Sequence, residues 1–278
     1  HVEGPILDLA FSLDSETLVS CARDGARLWP LDAARGSARR IALGEDFYCY
    51  GTRFAPDGRH LAVSAPYVGV FLVPLDGGAP RRVADYRGNR SAPMPVAFDA
   101  SGQTLAVAPM YAGSDEEMAL QVIDLRSGSR RVFPLRAPGV APGDGYAWSA
   151  QYLEYQADGR LVIAGGNGIR RWDPRTGAIE PVLWGSRFAA IDADHTGTIL
   201  VALVGTLSAS RLRLFDPELL VLDNAGQVTR RITSHGHALT PTLALDPSGE
   251  VLVTGDANGV VRVGRLSGGE PHLLLGHS

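Results

Sequence analysis

Six short polar turns of one kind divide this chain into similar units. Each turn follows one apolar run and precedes another, and the turns read LDSE (13–16), PDGR (56–59), ASGQ (100–103), ADGR (157–160), HTGT (195–198) and PSGE (247–250). Self-similarity at a regular spacing indicates a repeat architecture, in which each unit buries its apolar faces against its neighbours. The chain of 278 residues is therefore expected to fold as an array of equivalent units.

Each unit resolves into four short runs rich in Val, Leu, Ile and Ala, bounded by Gly, Pro, Asp and Ser. No run carries a sustained helical period. Units of about 40–45 residues with four strands are typical of propeller blades. The sequence thus predicts an all-β fold, a β-propeller of four-stranded antiparallel blades, as one domain over 1–278. Six blades are visible, at about 1–44, 45–88, 89–136, 137–185, 186–235 and 236–278, with insertions at 137–148 and 206–217.

Composition excludes several classes of function. The formal net charge of −4 gives no electrostatic attraction to nucleic acid. No apolar stretch is long enough for membrane insertion. Cys21 and Cys49 are the only cysteines, too few for a disulfide framework or a zinc site. They favour a reducing compartment, so we expect a cytoplasmic location.

The units resemble the WD-repeat family. One literal Trp-Asp pair, Trp172–Asp173, ends the third strand of unit four, and Gly236–His237 and Gly276–His277 supply the family's second dipeptide. The phrases SGGEPHLLLGHS and GARLWPLD resemble propellers attached to bacterial Ser/Thr protein kinases or signalling ATPases. The resemblance implies a propeller that binds proteins and has no catalysis of its own.

The resemblance also implies hydrogen-bonded sets of buried polar side chains that hold the repeats together. Two units carry residues at the matching positions: His1, Ser20, Asp24 and Trp29 in unit one, and His237, Thr254 and Asn258 in unit six, where Val263 replaces the tryptophan. Such groups need one another as partners when buried. A Ser-His-Asp catalytic reading is weaker, because the serine lies mid-strand and not on an exposed elbow.

Doubled arginines mark four outer strands, at 39–40, 81–82, 130–131 and 230–231. They could form a basic girdle that grips phosphate. They could instead protect the exposed edge of each blade from pairing with another chain. Neighbouring strand residues face opposite ways and the net charge is negative, so we favour edge protection.

Aromatic residues concentrate in the connections that a propeller places on one face, and aromatics with a polar tip are common anchors in protein recognition. We predict a partner-binding face, for a protein or peptide, from Tyr48, Tyr50, Tyr67, Tyr86, Tyr111, Tyr146, Trp148, Trp184 and Arg187. The alternative for each ring is that it caps the core beneath the loops.

An enzyme is the second hypothesis, since some six-bladed propellers are ligand sensors or metal-dependent lactonases or esterases. The loop carboxylates and amide available here are Glu45, Asp46, Asp85, Asn89 and Asp144. Their spacing fixes no metal shell. We therefore predict no catalytic residue, no metal and no cofactor, and favour the scaffold.

The last residues, LLLGHS, combine a fourth strand with the opening dipeptide of a further unit, and His1 is what remains of such a dipeptide. Either blade six packs against blade one, or the array continues past Ser278. The sequence pattern favours the second arrangement.

Overall fold

A computed structural model of the chain describes residues 6–22, 25–32, 36–41, 43, 49–65, 68–85, 95–108, 119–134, 150–165, 168–180, 188–194, 196, 198–207, 214–223, 226–233, 235, 239–256 and 260–275. These residues form 23 β-strands in six antiparallel sheets. The predicted fold class is confirmed: the sheets are the blades of a β-propeller. Within the described ranges there is no helix, and so none long and apolar enough to cross a membrane.

Sheets one, five and six belong to a compact unit that comprises His1–Cys49 and Arg187–Ser278. In each sheet the strands follow one another in chain order. Sheet one consists of β1 (Asp8–Phe11), β2 (Thr17–Ala22), β3 (Gly25–Pro30) and β4 (Arg39–Ile41). Sheet five consists of β16 (Phe188–Ala193), β17 (Leu200–Leu207), β18 (Leu214–Leu222) and β19 (Val228–Ile232). Sheet six consists of β20 (Leu239–Leu245), β21 (Val251–Asp256), β22 (Val260–Arg265) and β23 (His272–Leu275).

Sheets two, three and four belong to a second compact unit, Tyr50–Ser186. Sheet two consists of β5 (Gly51–Phe54), β6 (His60–Ala65), β7 (Gly69–Pro74) and β8 (Arg81–Asp85). Sheet three consists of β9 (Val96–Phe98), β10 (Thr104–Val107), β11 (Ala119–Asp124) and β12 (Arg130–Pro134). Sheet four has β13 (Ala150–Tyr155), β14 (Leu161–Gly165) and β15 (Gly168–Trp172). At its outer edge the described residues contribute a single bridge, Trp172 with Ile179, in place of a fourth strand.

The insertion predicted at 206–217 lengthens a hairpin of sheet five. Its strands β17 and β18 have 8 and 9 residues, and their pairing continues to Leu207 with Leu214 beyond a bulge between Val204 and Thr206. This end of the second-to-third-strand hairpin therefore extends further than in the other sheets, whose second strands have 4 to 6 residues.

The repeated polar turn joins the first and second strands of each sheet. In sheets three, five and six an aspartate at the end of the first strand accepts a hydrogen bond from the first backbone N–H of the returning segment: Asp99 from Thr104 (2.8 Å), Asp194 from Ile199 (2.9 Å) and Asp246 from Val251 (2.6 Å). In sheets two and four, where alanine and glutamine end the first strand, an aspartate within the turn takes over: Asp57 binds the N–H of Arg59 (2.8 Å) and Asp158 that of Arg160 (2.9 Å).

The third turn residue has left-handed backbone geometry, which explains the glycine there. Gly58, Gly102, Gly159 and Gly249 have φ between 64° and 81°. In sheet one a serine, Ser15, occupies this position and has a φ of 56°. Among the residues that the structure describes, it is the one non-glycine residue with a positive φ. The turn geometry is therefore common to five described sheets, although the residue is not.

Apolar side chains of neighbouring sheets interdigitate to form the core. In the second unit one cluster joins sheets two and three, around Leu105, and another joins three and four, around Leu153. In the first unit Leu203 and Leu252 belong to a cluster between sheets five and six. A further cluster joins sheet six to sheet one, including Leu9 and Val253.

Of the two arrangements expected from the ends of the sequence, the packing of sheet six against sheet one is therefore present. Continuation of the array past Ser278 stays a prediction.

Candidate partner-binding surface and polar groups between sheets

The predicted partner-binding face is described at one residue, Tyr50. Its backbone N–H donates to the carbonyl of Ser64 (3.0 Å), and the residue is partly exposed just before β5. The connection is thus fixed at its end, with a tyrosine at the point where it enters sheet two. The other members lie outside the described residues: Tyr48, Tyr67, Tyr86, Tyr111, Tyr146, Trp148, Trp184 and Arg187.

In sheet one the structure brings together two members of the predicted polar set. The indole Nε1 of Trp29 donates to the hydroxyl of Ser20 at 2.7 Å. Ser20 is buried, and the ring of Trp29 packs against the cluster shared with sheet six. The serine hydroxyl thus serves as an acceptor inside the sheet. His1 and Asp24 lie outside the described residues, so the complete set stays a prediction.

In sheet six Thr254 is hydrogen-bonded to His235, which the predicted polar set did not include, and the predicted contact with His237 stays a prediction. His235 Nδ1 and Thr254 Oγ1 are 2.9 Å apart, and the two residues are 1% and 0% exposed. His237 and Asn258 lie outside the described residues. The sequence SHGH offers two histidines, and the Gly-His dipeptide directs attention to the second.

The surroundings of His235 keep it neutral. Burial, together with the positive charge of Arg262, lowers the pKa of its imidazole from 6.5 to about 4. Gly264 makes room for the ring, since a Cβ there would stand 3.0 Å from the imidazole Nε2. A neutral histidine can exchange one hydrogen bond with the threonine hydroxyl at physiological pH.

Another inter-sheet bond, which the sequence analysis does not predict, lies on the first strands of sheets five and six. The carboxylate oxygen Oδ2 of Asp192 accepts a hydrogen bond from the backbone N–H of Leu245 at 2.9 Å. Asp192 is buried, so its charge is held by donors within the protein. An aspartate inside an otherwise apolar strand, FAAIDA, was the available signal.

In the second unit an arginine connects the first strands of sheets two and four. The guanidinium carbon of Arg53 lies 5.3 Å from the ring centroid of Tyr152, and its Nε is 3.6 Å from Glu154 Oε2. The side chains of Arg53 and Glu154 are 19% and 26% exposed. The arrangement balances a partly buried cation with a carboxylate and an aromatic face, and so fastens two sheets that both border sheet three.

In three of the four outer strands with doubled arginines, the first arginine donates a hydrogen bond to a neighbouring sheet. Arg81 of sheet two donates to the carbonyl of Leu125 in sheet three (3.2 Å), and Arg130 of sheet three donates back to Val83 of sheet two (3.1 Å). In the first unit Arg230 of sheet five donates to the carbonyl of Leu266 in sheet six (3.0 Å).

The side chain of the second arginine in each of these three strands contacts a residue of its own sheet. Arg82 pairs with Asp85 at 3.1 Å, Arg231 pairs with Glu218, and Arg131 lies 5.6 Å from the centre of the Phe133 ring. Successive side chains of a strand point to opposite faces, so the first arginine faces the neighbouring sheet and the second does not. These arginines therefore have partners within the fold, which supports a structural role over a phosphate-binding girdle.

The carboxylates considered for an enzyme do not converge within the described residues. Asp85 is exposed and pairs with Arg82, whereas Glu45, Asp46, Asn89 and Asp144 lie outside the described ranges. No group of three or more His, Cys, Asp or Glu residues in those ranges could hold a metal ion.

Comparison with protein families locates the resemblance at the start of the chain. Residues 1–26 match the family profile described as "WD domain, G-beta repeat", a stretch that contains β1, β2 and Ser20. A search of curated proteins finds no match. Propellers of this family are generally protein-interaction scaffolds. The family match and the six antiparallel sheets together support a WD-repeat propeller.

Proposed function

We propose that this chain is a non-catalytic scaffold that binds a protein or peptide partner within a larger bacterial signalling protein. The observation that carries the proposal is a contrast between the two ends of the sheets. The turns between first and second strands have five or six residues, and an aspartate at the end of the first strand or within the turn accepts a hydrogen bond from the returning backbone, as described for Asp99 and Asp57.

The connections between successive sheets, in contrast, differ in length and sequence. They have nine residues between β4 and β5, fifteen between β12 and β13, and six between β19 and β20. Variable loops on a rigid scaffold are where recognition residues concentrate. Tyr48, Tyr111, Tyr146 and Trp148 all lie in connecting segments of the sequence, which supports placing the partner surface there.

Within each of the two compact units, bonds between sheets stabilise the framework that carries these loops. Arg81, Arg130 and Arg230 donate across sheet boundaries, and Asp192 accepts across another. A rigid framework lowers the entropy lost when a partner binds.

The test of the binding surface is capture of a partner from the source organism's lysate on immobilised protein. The triple variant Tyr111→Ala, Tyr146→Ala, Trp148→Ala should lose the captured partner, because truncated aromatic anchors typically cost more than 1 kcal/mol each. Arg82→Ala, at the outer edge of sheet two, is the matched control and should capture normally. Equal capture by the wild type and the triple variant, with both folded, would contradict the proposal.

The signalling context is tested by sequencing the full reading frame that encodes this chain. A kinase or signalling ATPase domain encoded in the same reading frame is the expected result. A parent protein that is instead a secreted hydrolase, with lactone or ester turnover, would overturn it.

A further inference from the structure

The two cysteines of this chain form a disulfide. Cys21 lies in β2 of sheet one. Cys49 is 28 residues further along the chain, after the last strand of that sheet. Their Cα atoms are 5.1 Å apart, well inside the range that a disulfide spans. Both residues are 0% exposed. The sequence alone predicts free thiols, because two cysteines make no recognisable framework.

Backbone hydrogen bonds hold both cysteines in place independently of the sulfur–sulfur bond. The N–H of Cys49 donates to the carbonyl of Ala22 at 3.2 Å, beside Cys21 in the chain. On the other side of β2, the N–H of Leu7 donates to the carbonyl of Cys21 at 2.8 Å. Cys21 is thus enclosed by strands on both sides, and the folded chain itself brings Cys49 to it.

Burial of both cysteines determines whether the disulfide forms before or after folding is complete. Thiol–disulfide exchange requires a thiolate to reach a sulfur atom in line, so it needs access. In the folded chain neither sulfur is accessible, and an oxidising protein could reach them only before the strands close over them. The bond therefore forms while the chain is still folding.

We infer that this chain folds in an oxidising compartment, where a disulfide-bearing protein oxidant acts on Cys21 and Cys49 before they are buried. The two thiols lose two protons and two electrons and become one disulfide. The oxidant's disulfide takes up those electrons and protons and becomes a dithiol. Such oxidants act outside the reducing cytosol.

An oxidising compartment replaces the cytoplasmic location expected from the cysteine number, because that expectation requires free thiols. It does not depend on the proposed function. A partner-binding propeller can lie on either side of a membrane from the signalling domain to which it is joined.

The first experiment determines the redox state of the protein isolated from its own cells. Cells are lysed in denaturant with iodoacetamide, and the intact mass of the protein is measured with and without prior reduction. The expected result is no adduct without reductant and two adducts after reduction. Two adducts without reductant would overturn the inference.

The second experiment tests the burial on which the order of events depends. The oxidised protein is exposed to dithiothreitol, with and without denaturant, and reduction is followed by alkylation. Reduction of the folded protein should be at least about 100-fold slower, because it requires local opening of sheet one. Similar rates in both conditions would show that the bond can form and break after folding, and would overturn the proposed order.

A matched control comes from the variant Cys21→Ser, Cys49→Ser. It should show no adduct in any condition, which establishes that the mass changes report these two residues.

Discussion

Acidification should weaken this fold through one buried histidine, His235. Its pKa is about 4 in the folded protein and about 6.5 when the chain is unfolded. Because the folded-state value is the lower one, the unfolded chain binds the proton more tightly. The full stability is present above pH 6.5 and is lost progressively as the pH falls from 6.5 to 4.

The size of the effect follows from the two pKa values. Between pH 7.5 and pH 5 the difference in proton binding lowers the free energy of unfolding by about 2 kcal/mol. A pKa shift of one unit corresponds to about 1.4 kcal/mol, so the limiting loss below pH 4 is about 3 kcal/mol. Carboxylates such as Asp57 and Asp158, whose pKa values are lowered by hydrogen bonds despite partial burial, add their own loss only below about pH 4.

The assay is urea unfolding at pH 7.5 and pH 5.0 with wild type and His235→Asn, which keeps a polar partner for Thr254 and does not titrate in this range. The wild type should lose about 2 kcal/mol more than the variant over this interval. Thr254→Val is the control that retains the buried imidazole, so it should keep the steep pH dependence. If wild type and His235→Asn lost stability in parallel, the explanation from the buried histidine would be wrong.

Three further changes test other contacts. Replacing Cys21 and Cys49 by serine should lower the free energy of unfolding by about 3.5 kcal/mol, since the bond closes a loop of intermediate length; chemical denaturation under oxidising conditions measures this. Arg230→Ala should lower the free energy of unfolding by about 1 kcal/mol, measured by chemical denaturation, because a carbonyl of sheet six loses its donor. Arg231→Ala removes only an exposed ion pair and should change little in the same assay. Trp29→Phe should cost about 1–3 kcal/mol, measured by thermal unfolding, and equal stability would show that its indole bond carries no weight.

The sequence predicted the fold class because the responsible signal is local. The turn marked by Gly58 and Gly249 requires a left-handed residue and a nearby aspartate, both of which can be read from four letters. Even Ser15, which breaks the glycine pattern, keeps the same backbone geometry. Repetition of this turn then determines the number of sheets.

The polar contacts between sheets could be predicted only in part, because their partners are distant in sequence. Ser20 and Trp29 lie nine residues apart on paired strands, and the family pattern identified them. The contact of His235 with Thr254 could not be read from SHGH, because it depends on the space that Gly264, distant in sequence, leaves for the ring.

Other contacts between distant segments left no distinctive pattern. The bond from Asp192 to Leu245 uses a backbone donor, which every non-proline residue offers. The pairing of Cys21 with Cys49 depends on a connection folding back onto β2, which two isolated letters do not reveal.

The arginine bonds across the outer strands have a consequence for how such repeats evolve. Arg81, Arg130 and Arg230 all donate to main-chain carbonyls of the adjoining sheet, at Leu125, Val83 and Leu266. A carbonyl is present whatever side chain occupies the position, so the acceptor survives substitution of the residue that bears it. Adjacent repeats can therefore accumulate changes independently, or be exchanged after duplication, without losing the fastening between them.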